Sequence, residues 1–360
     1  MVKSAIRERV RICLAAVFYY SGLVRFALWW RRRSVPYLVI LNYHRAAGGN
    51  LREQMRYLNR HYRILDLHAA LNELYADAPS ASSRGGSTEK RDPRSPLVLT
   101  FDDGYLDSYT HALRYAQELE VPISVFPIPA YVDSGATFWW LAPGYLVEHT
   151  RLENVTVGGK QYHLTRPAER EALLHAIDGG LRHAGSVEER KTFLAGAERS
   201  MQVSLPRRVG EDRDALERSV NWTELQEMDR SGLVSFGAHT MHHSVLAYLS
   251  DDAEIKREVE QAGRVLEERL GHPISAFAYP IGKMEDIGER GVGAMREAGY
   301  SWAFTTIEGI NTRETDKYLL RRLPGRIAVH WLVVASELAG LLGVMSRFRK
   351  WRQRARRHDP

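Results

Sequence analysis

The sequence contains a single cysteine, Cys13, among its 360 residues. One thiol cannot build an internal disulfide framework or a cysteine-cluster metal site, so neither class of protein fits this chain. The sequence also lacks a long uninterrupted apolar run. Arg25 divides the stretch 12–30, and its apolar part is shorter than the about 20 residues of a spanning helix. No small-residue cleavage site of a signal peptide is obvious there. With 44% hydrophobic residues, the chain can still bury a large core of one or two domains.

Positive charge is concentrated at the two ends of the chain. Residues 1–33 carry eight Lys or Arg and one Glu, and residues 347–360 carry seven Lys or Arg and one Asp. Because the net charge of the whole chain is +6, the body between these ends carries −7. An acidic body argues against a broad nucleic-acid-binding face, so we expect no nucleic acid partner.

Each basic end adjoins an apolar stretch, 12–30 in the first case and 327–345 in the second. We interpret 1–33 as a membrane-associating segment and 327–360 as an apolar helix with a basic tail. Both would lie on an anionic membrane surface, where each basic residue contributes about 1 kcal/mol. The alternative is a pair of ordinary packing helices with solvated charges. The basic bias favours the cytoplasmic face of the inner membrane, and an outward-facing anchored form is the other arrangement.

Short apolar runs alternate with helical patterns between these ends. Six runs are typical of strands buried on both faces of a parallel sheet: 36–44, 96–101, 121–128, 232–239, 274–280 and 301–306. The clearest helix, 252–270, has one apolar stripe, a cap at Ser250 or Asp251, and Gly271 after its end. This repetition predicts a parallel α/β architecture, either a barrel or a doubly wound sheet.

Two segments interrupt the alternation. Residues 77–96 have the Ser, Gly, Pro and charge content of a flexible surface linker. Residues from about 130 to 222 separate two strands by far more than a normal connection. We predict that this second segment is a mainly helical insertion that forms a rim or lid.

Two carboxylates end one of the predicted strands, in "LTFDDGYLDSYTHA" (99–112). Asp102 and Asp103 repel each other, and desolvation raises the cost of keeping both ionised. A bound cation, a shared proton or simple solvent exposure would offset that cost. A solvated turn after a strand is the plain alternative.

A histidine cluster, "HTMHHSVL" (239–246), follows another predicted strand. His239 and His243 are four residues apart, so one turn or tight loop can present both imidazoles on one side, as it could His239 and His242. Two imidazoles and one carboxylate make a metal site with open positions, whereas a surface histidine cluster is the alternative. Working residues of parallel α/β folds sit at the carboxyl ends of strands, where both clusters lie.

"TFDDGY" and "HTMHH" resemble the two leading motifs of the polysaccharide deacetylase family, the NodB-homology group of carbohydrate esterases. "ILNYHR", "NWTELQEMDRSGLVSFGAHT", "FAYPIG" and "GYSWAFTT" occur in the order usual for the branch with a FAYPxG-type third motif, so the resemblance covers about 36–325. It implies a distorted (β/α) barrel at 34–326, with an inserted helical segment and helical ends. It also implies a hydrolase that removes N-acetyl or similar acyl groups from a cell-envelope polysaccharide or lipid-linked saccharide.

The resemblance also implies roles for individual residues. Asp103, His239 and His243 would bind a divalent metal, usually zinc, and Asp102 would be the general base. Such a metal can polarise an amide carbonyl and acidify its bound water. Thr240 would buttress the site through a hydrogen bond.

The sequence departs from the usual pattern of the family in its second half. Many members have an Arg that orients the catalytic Asp where this chain has Ala278. We therefore expect the orienting cation at Arg321 or, preferably, Arg322, and we include the neighbouring Tyr279 among the substrate-binding or orienting residues. The alternative is that both arginines are surface residues.

The general acid and the sugar-binding side chains are assigned as hypotheses. No late-strand histidine is obvious, so His44, which ends the first strand, is our candidate for the acid or for a substrate contact. Trp139, in the run Phe138 to Trp140, could stack on a sugar ring, although local core packing is the alternative.

Two other classes of function remain open. A saccharide-binding or assembly protein could retain the fold without activity, which Ala278 and the unassigned acid make conceivable. Two histidines and one carboxylate can also form the iron site of an Fe(II) oxygenase. The second carboxylate, Asp102, favours hydrolysis over oxygen chemistry.

Overall fold

A computed structural model of the chain describes residues 2–33, 36–76, 92–207 and 217–342. Residues 77–91 of the predicted linker and the basic tail 347–360 lie outside the described residues. The strands are β1 Val39–Tyr43, β2 Tyr62–Ile64, β3 Ser95–Asp103, β4 Ile123–Pro127, β5 Asn154–Val157, β6 Lys160–His163, β7 Val234–Phe236, β8 Ala276–Ala278, β9 Trp302–Phe304 and β10 Leu323–Pro324.

The α-helices surround the strands or precede and follow them along the chain. They are α1 Val2–Tyr20, α2 Leu23–Arg32, α3 Leu51–His61, α4 Leu67–Tyr75, α5 Arg114–Leu119, α6 Pro129–Ser134, α7 Ala142–His149, α8 Pro167–Arg182, α9 Val187–Met201, α10 Trp222–Arg230, α11 Asp252–Leu270, α12 Met284–Glu297 and α13 Trp331–Leu338.

The parallel strands close into a ring. Five of them pair in the order β10-β1-β3-β4-β7, with β2 beside β3, and β8 pairs with β9 in parallel. The Ala278 N–H donates to the Ala238 carbonyl, which joins the chain after β7 to β8. The Leu320 N–H donates to the Ala303 carbonyl, which joins β9 to the segment leading into β10. The predicted α/β fold, a distorted parallel barrel, is therefore confirmed.

Side chains that point alternately inward and outward along the strands form two separate apolar layers. Outward residues of β3, such as Leu99 and Phe101, pack in the main core beneath the surrounding helices. Inward residues, such as Val98, pack in a second cluster with Phe126 of β4 and Phe304 of β9. Because side chains alternate along a strand, the next inward positions of β3 after Val98 are 100 and 102. The barrel interior around Val98 is thus apolar, and the inward position 102 lies at the carboxyl end of β3.

Helix α11 has the bounds that its sequence pattern predicts. Ile255, Val259 and Leu266 are buried against the main core. The Asp251 side chain accepts a hydrogen bond from the backbone of Ala253 and caps the first turn. Gly271 ends the helix at φ 82°, a left-handed conformation that glycine adopts without steric cost.

The long segment between β4 and β7 contains α6 to α9, as predicted, but also an antiparallel hairpin of β5 and β6. Gly158 and Gly159 connect its strands with φ of 59° and 78°. Two consecutive positive φ angles match the turn that glycine pairs favour in two-residue hairpin loops. The segment has a core of its own, which includes Phe138, Leu146 and Ile177.

The apolar stretches at the two ends pack against each other. Ala15 of α1 lies in a small cluster with Leu332 and Val333 of α13. Helix α1 ends at Tyr20, and Gly22 at φ 83° precedes α2. Among the described residues no single helix is long and apolar enough to cross a bilayer, and only α1 with α2, bent by 68°, reaches that length and composition together.

Candidate metal centre

Three potential metal ligands follow two strands of the barrel. Asp103 is the last residue of β3, and His239 and His243 lie in the loop after β7. Asp103 and His243 have φ angles of 71° and 55°, which non-glycine residues seldom adopt. Such strained backbone conformations persist only where surrounding contacts hold them, and they cluster at functional sites.

The three side chains converge on one point in the protein. Asp103 Oδ1 lies 3.3 Å from His239 Nε2 and 3.5 Å from His243 Nε2. One ligand atom from each residue lies within 4.8 Å of the others, and all three residues are buried. One carboxylate oxygen and two imidazole nitrogens match the donor set of a three-ligand divalent metal site.

The hydrogen bond of His239 fits metal ligation. His239 Nδ1 lies 2.7 Å from the Ala278 carbonyl, which can only accept, so Nδ1 carries a proton and Nε2 is the atom that would bind a metal. The backbone carbonyl of Ala278 in "FAYPIG" therefore orients the potential metal ligand His239. Ala278 stands at the position where many members of the family have an Arg. His243 Nδ1 is buried and has no hydrogen-bond partner among the described residues.

The two imidazoles differ in their pKa. Burial lowers the pKa of His243 well below its ordinary value, and the nearby His239 and Arg190 lower it further. A neutral imidazole is the form that binds a metal. Burial also lowers the pKa of His239, but the carboxylates of Asp103 and Asp102 outweigh this effect and raise it above the ordinary value.

Asp102 forms a bidentate ion pair with Arg322. The Nη1 and Nη2 atoms of Arg322 donate to the two carboxylate oxygens at 2.8 Å and 2.7 Å. Asp102 is 2% exposed and Arg322 is 1% exposed. Burial raises the pKa of Asp102, but the charges of Arg322 and His239 outweigh it, so the pKa is lowered from its ordinary value. Asp102 is therefore ionised at neutral pH.

The Arg322 side chain is fixed by two further contacts. Its Nε donates to the Thr305 carbonyl at 2.9 Å, and Nη1 donates to the Thr100 hydroxyl at 3.2 Å. Of the two arginines considered from the sequence, the structure brings Arg322 to Asp102 and leaves Arg321 exposed.

The structure also brings His44 and Thr240 to this region. His44 is exposed at the end of β1, within the range of electrostatic interaction with Asp102 and His243. Thr240 is buried at φ 59°, and its hydroxyl accepts a hydrogen bond from the Ser244 backbone at 3.1 Å. Thr240 thus closes the loop that carries His243.

Two predicted site residues lie elsewhere. Tyr279 packs in the main core outside the barrel, because it directly follows the inward-facing Ala278 that ends β8. Its hydroxyl donates to the Tyr318 carbonyl. Trp139 is 2% exposed, so it cannot stack on a sugar ring, and its Nε1 donates to the His243 carbonyl at 3.1 Å. The substrate contacts predicted for these two side chains do not fit these positions.

Sequence reasoning assigned no site role to Arg190 and Glu258 and considered Trp140 only as part of an aromatic run. All three contact the loop that carries His242 and His243. The Trp140 ring lies 4.2 Å from the imidazole of His243, centroid to centroid. Arg190 of α9 is buried and donates to the carbonyls of His242 and His243. Glu258 of α11 accepts from the backbone N–H of His242 at 3.0 Å and pairs with its ring. Arg190 and Glu258 are far from the histidine motif in sequence, and no local pattern marks them.

The chain was compared with models of protein families, with curated proteins and with solved structures. The sequence model of the Polysaccharide deacetylase family matches residues 191–302, a span that contains both histidine ligands and begins after the two aspartates. The Streptococcus pyogenes deacetylase PplD, solved in complex with acetate, is 15% identical, with a TM-score of 0.50 over 84% of this chain and 97% of its own. IcaB from Ammonifex degensii is 18% identical, with a TM-score of 0.51 over 84% and 96%. No curated protein matches the sequence.

The family match bears out the predicted likeness to the polysaccharide deacetylase family over residues 191–302. The two structural likenesses concern the fold. The branch with a FAYPxG-type motif stays a prediction, as do the metal and the substrate.

Proposed function

We propose that this chain, whose residues 191–302 match the polysaccharide deacetylase family, is a metal-dependent N-deacetylase of an acetylated amino-sugar saccharide. One observation carries the proposal. A buried carboxylate, Asp102, is held ionised by Arg322 directly beside the Asp103, His239 and His243 cluster. A binding protein has no need of such a costly buried charge next to a three-ligand site.

The residues present fit a divalent metal, and zinc suits this donor set best. Asp103, His239 and His243 would hold it through one oxygen and two nitrogens, which leaves a position open for water or substrate. The metal would supply Lewis acidity toward the acetamide carbonyl and toward its bound water.

Asp102 acts as the general base of the hydrolysis. The water oxygen bonds to the acetyl carbon, the carbon–nitrogen bond breaks, and acetate and the free amine are the products. Asp102 takes the proton of the attacking water, because each of its oxygens retains a lone pair beyond the one that Arg322 engages. Arg322 keeps the carboxylate ionised and in one orientation, which is the role that the family usually gives to an Arg at the position of Ala278.

His44 donates a proton to the leaving amine. It is exposed at the end of β1, within the range of electrostatic interaction with Asp102 and His243. Histidine is the side chain that most often transfers protons in enzymes.

The substrate class follows from the family and remains a proposal. A cell-envelope polysaccharide and a lipid-linked saccharide both present N-acetyl groups on amino sugars. Trp140, half-buried beside His243, is a better candidate for contact with a sugar ring than the buried Trp139.

Acetate release tests the proposal directly. Purified metal-loaded protein is incubated with N-acetylglucosamine oligomers and with envelope saccharide extracts, beside Asp102→Asn and the matched surface variant Arg321→Ala. We expect release by the wild type and by Arg321→Ala, and a loss of about 100-fold or more in Asp102→Asn at unchanged metal content. Equal release by wild type and Asp102→Asn would contradict the role of Asp102. No release from any saccharide at stoichiometric metal would contradict the proposed function.

A further inference from the structure

Exposed apolar side chains are concentrated on the first two helices. Among the described residues, eight of the nine large hydrophobic side chains that are exposed belong to α1 and α2, and the ninth is Met284. The eight are Ile6, Val10, Val17, Tyr20, Leu23, Phe26, Trp29 and Trp30. We call this set the outer face. Exposed large apolar side chains that are concentrated in one part of a protein mark an interaction surface.

The part of the outer face on α1 is a regular stripe. Ile6, Val10, Cys13, Val17 and Tyr20 are exposed at alternating spacings of four and three residues, which places them on one side of the helix. The opposite side of α1, with Ala15 at its centre, packs against α13. Helix α1 thus has two apolar sides, and the body of the protein covers only one.

The part of the outer face on α2 is aromatic. Phe26 lies 5.7 Å from Trp29 and 6.3 Å from Trp30, centroid to centroid, while Val24 and Leu28 face the main core. The Arg33 guanidinium stacks 3.8 Å from the Trp29 ring. Tryptophan with adjacent arginine is typical of side chains at the boundary between lipid headgroups and acyl chains.

The positive charge around the outer face indicates which kind of partner binds there. Arg7, Arg9, Arg25 and Arg33 are exposed, and residues 1–33 carry eight basic residues against Glu8 alone. A second copy docked through the same face would bring these like charges together. Anionic headgroups complement them instead, with about 1 kcal/mol for each basic residue near the surface.

We propose that the outer face of α1 and α2 docks on an anionic lipid bilayer, with both helices lying in the interface. A crossing orientation would require α1 to leave α13, since its inner side is already packed there. Arg31 Nη1 also donates to the Leu338 carbonyl at 2.7 Å, and Arg11 pairs with Glu337. These contacts attach the lipid-binding face to the body of the protein. This inference is independent of the proposed reaction.

Vesicle flotation of the full chain tests the docking surface. The probes are vesicles of phosphatidylcholine alone and of phosphatidylcholine with phosphatidylglycerol. The variants are Phe26→Ser/Trp29→Ser/Trp30→Ser and, on α1, Val10→Ser/Val17→Ser. Met284→Ser is the matched control, because it removes the one exposed large hydrophobic side chain outside the outer face. Circular dichroism and melting confirm that each variant is folded.

We expect binding to the anionic vesicles that weakens in high salt, a loss of about 100-fold in the aromatic variant, and no change in Met284→Ser. The α1 variant should lose binding in the same direction. Wild type that fails to bind anionic vesicles, or an aromatic variant that binds like wild type, would overturn the proposal. If neither protein binds vesicles, and the wild type is a dimer whereas the aromatic variant is a monomer, the outer face would instead bind a second copy of the chain.

Discussion

Replacement of Arg322 by Met should show how strongly the buried ion pair supports both fold and site. Methionine keeps much of the side-chain volume but removes the charge and all four donated hydrogen bonds described above, two of them to Asp102. The carboxylate then lies buried without compensation. Breaking a buried pair by removing one partner costs about 3–5 kcal/mol, so we expect the free energy of unfolding of Arg322→Met to fall by that amount.

The pH dependence of this loss follows from the pKa of Asp102. Its folded pKa is lowered, so the pair contributes its full stability above the unfolded pKa of about 3.9 and loses it as pH falls through the folded pKa. In Arg322→Met, burial is no longer opposed by Arg322, and the pKa of Asp102 rises. The difference in stability between wild type and variant should therefore be largest near neutral pH and shrink in acid.

Urea denaturation of chelator-treated protein between acid and neutral pH measures this difference. Arg321→Met is the matched control, because Arg321 is the exposed neighbour, and its cost should lie within about 0.5 kcal/mol of zero. The double variant Asp102→Asn/Arg322→Met should be more stable than the sum of the two single losses predicts. Additive losses, or equal losses in Arg322→Met and Arg321→Met, would refute the reasoning.

Three further predictions concern the site. Removing metal with a chelator should lower Tm in thermal scans. Metal at 100 times its Kd stabilises the folded protein by about 2.7 kcal/mol. The Tm of Asp103→Asn should not depend on metal. His44→Asn should lower kcat by about 100-fold with metal content unchanged, and full turnover would exclude His44 as the acid. Trp139→Phe should weaken metal binding by roughly tenfold in a competition titration, because it removes the hydrogen bond to the His243 carbonyl. Trp140→Phe should not weaken it, because the Trp140 indole N–H donates to Tyr105 instead.

The strand ends were the most predictable part of the molecule. Apolar runs that end in Asp102 and Asp103, or in His239, could be assigned to parallel strands, and the carboxyl ends of such strands meet at one edge. The helix 252–270 was equally clear, since its cap, stripe and terminal glycine agree. The hairpin of β5 and β6 was missed even though Gly158 and Gly159 stand between short alternating segments.

The misassigned side chains show where local patterns stop being informative. Trp139 and Trp140 are adjacent aromatics, and only the fold determines that the first supports the His243 backbone while the second lies against its ring. Tyr279 follows Ala278, and a shift of one residue along a strand moves a side chain from the barrel interior to the outer core. The buried Arg190 is positioned by α9, so nothing in the histidine motif indicates it.

The position of Arg322 links the proposed active site to the closure of the barrel. Asp102 lies on β3, whereas Arg322 directly precedes β10, and β1 lies between these strands in the sheet. In that register Asn42 of β1 pairs with Thr100 on one side and with Pro324 on the other. Since Arg322 reaches Asp102 across β1, we expect its guanidinium to lie close to the short inward side chain at position 42, and a bulky residue there to displace it. We expect Asn42→Leu to separate Asp102 from Arg322, with a loss of activity comparable to that of Arg322→Met, while Asn42→Ala should retain most of it. Kinetic assays of the three variants at equal metal content compare these outcomes, and full activity in Asn42→Leu would show that the ion pair does not depend on this position.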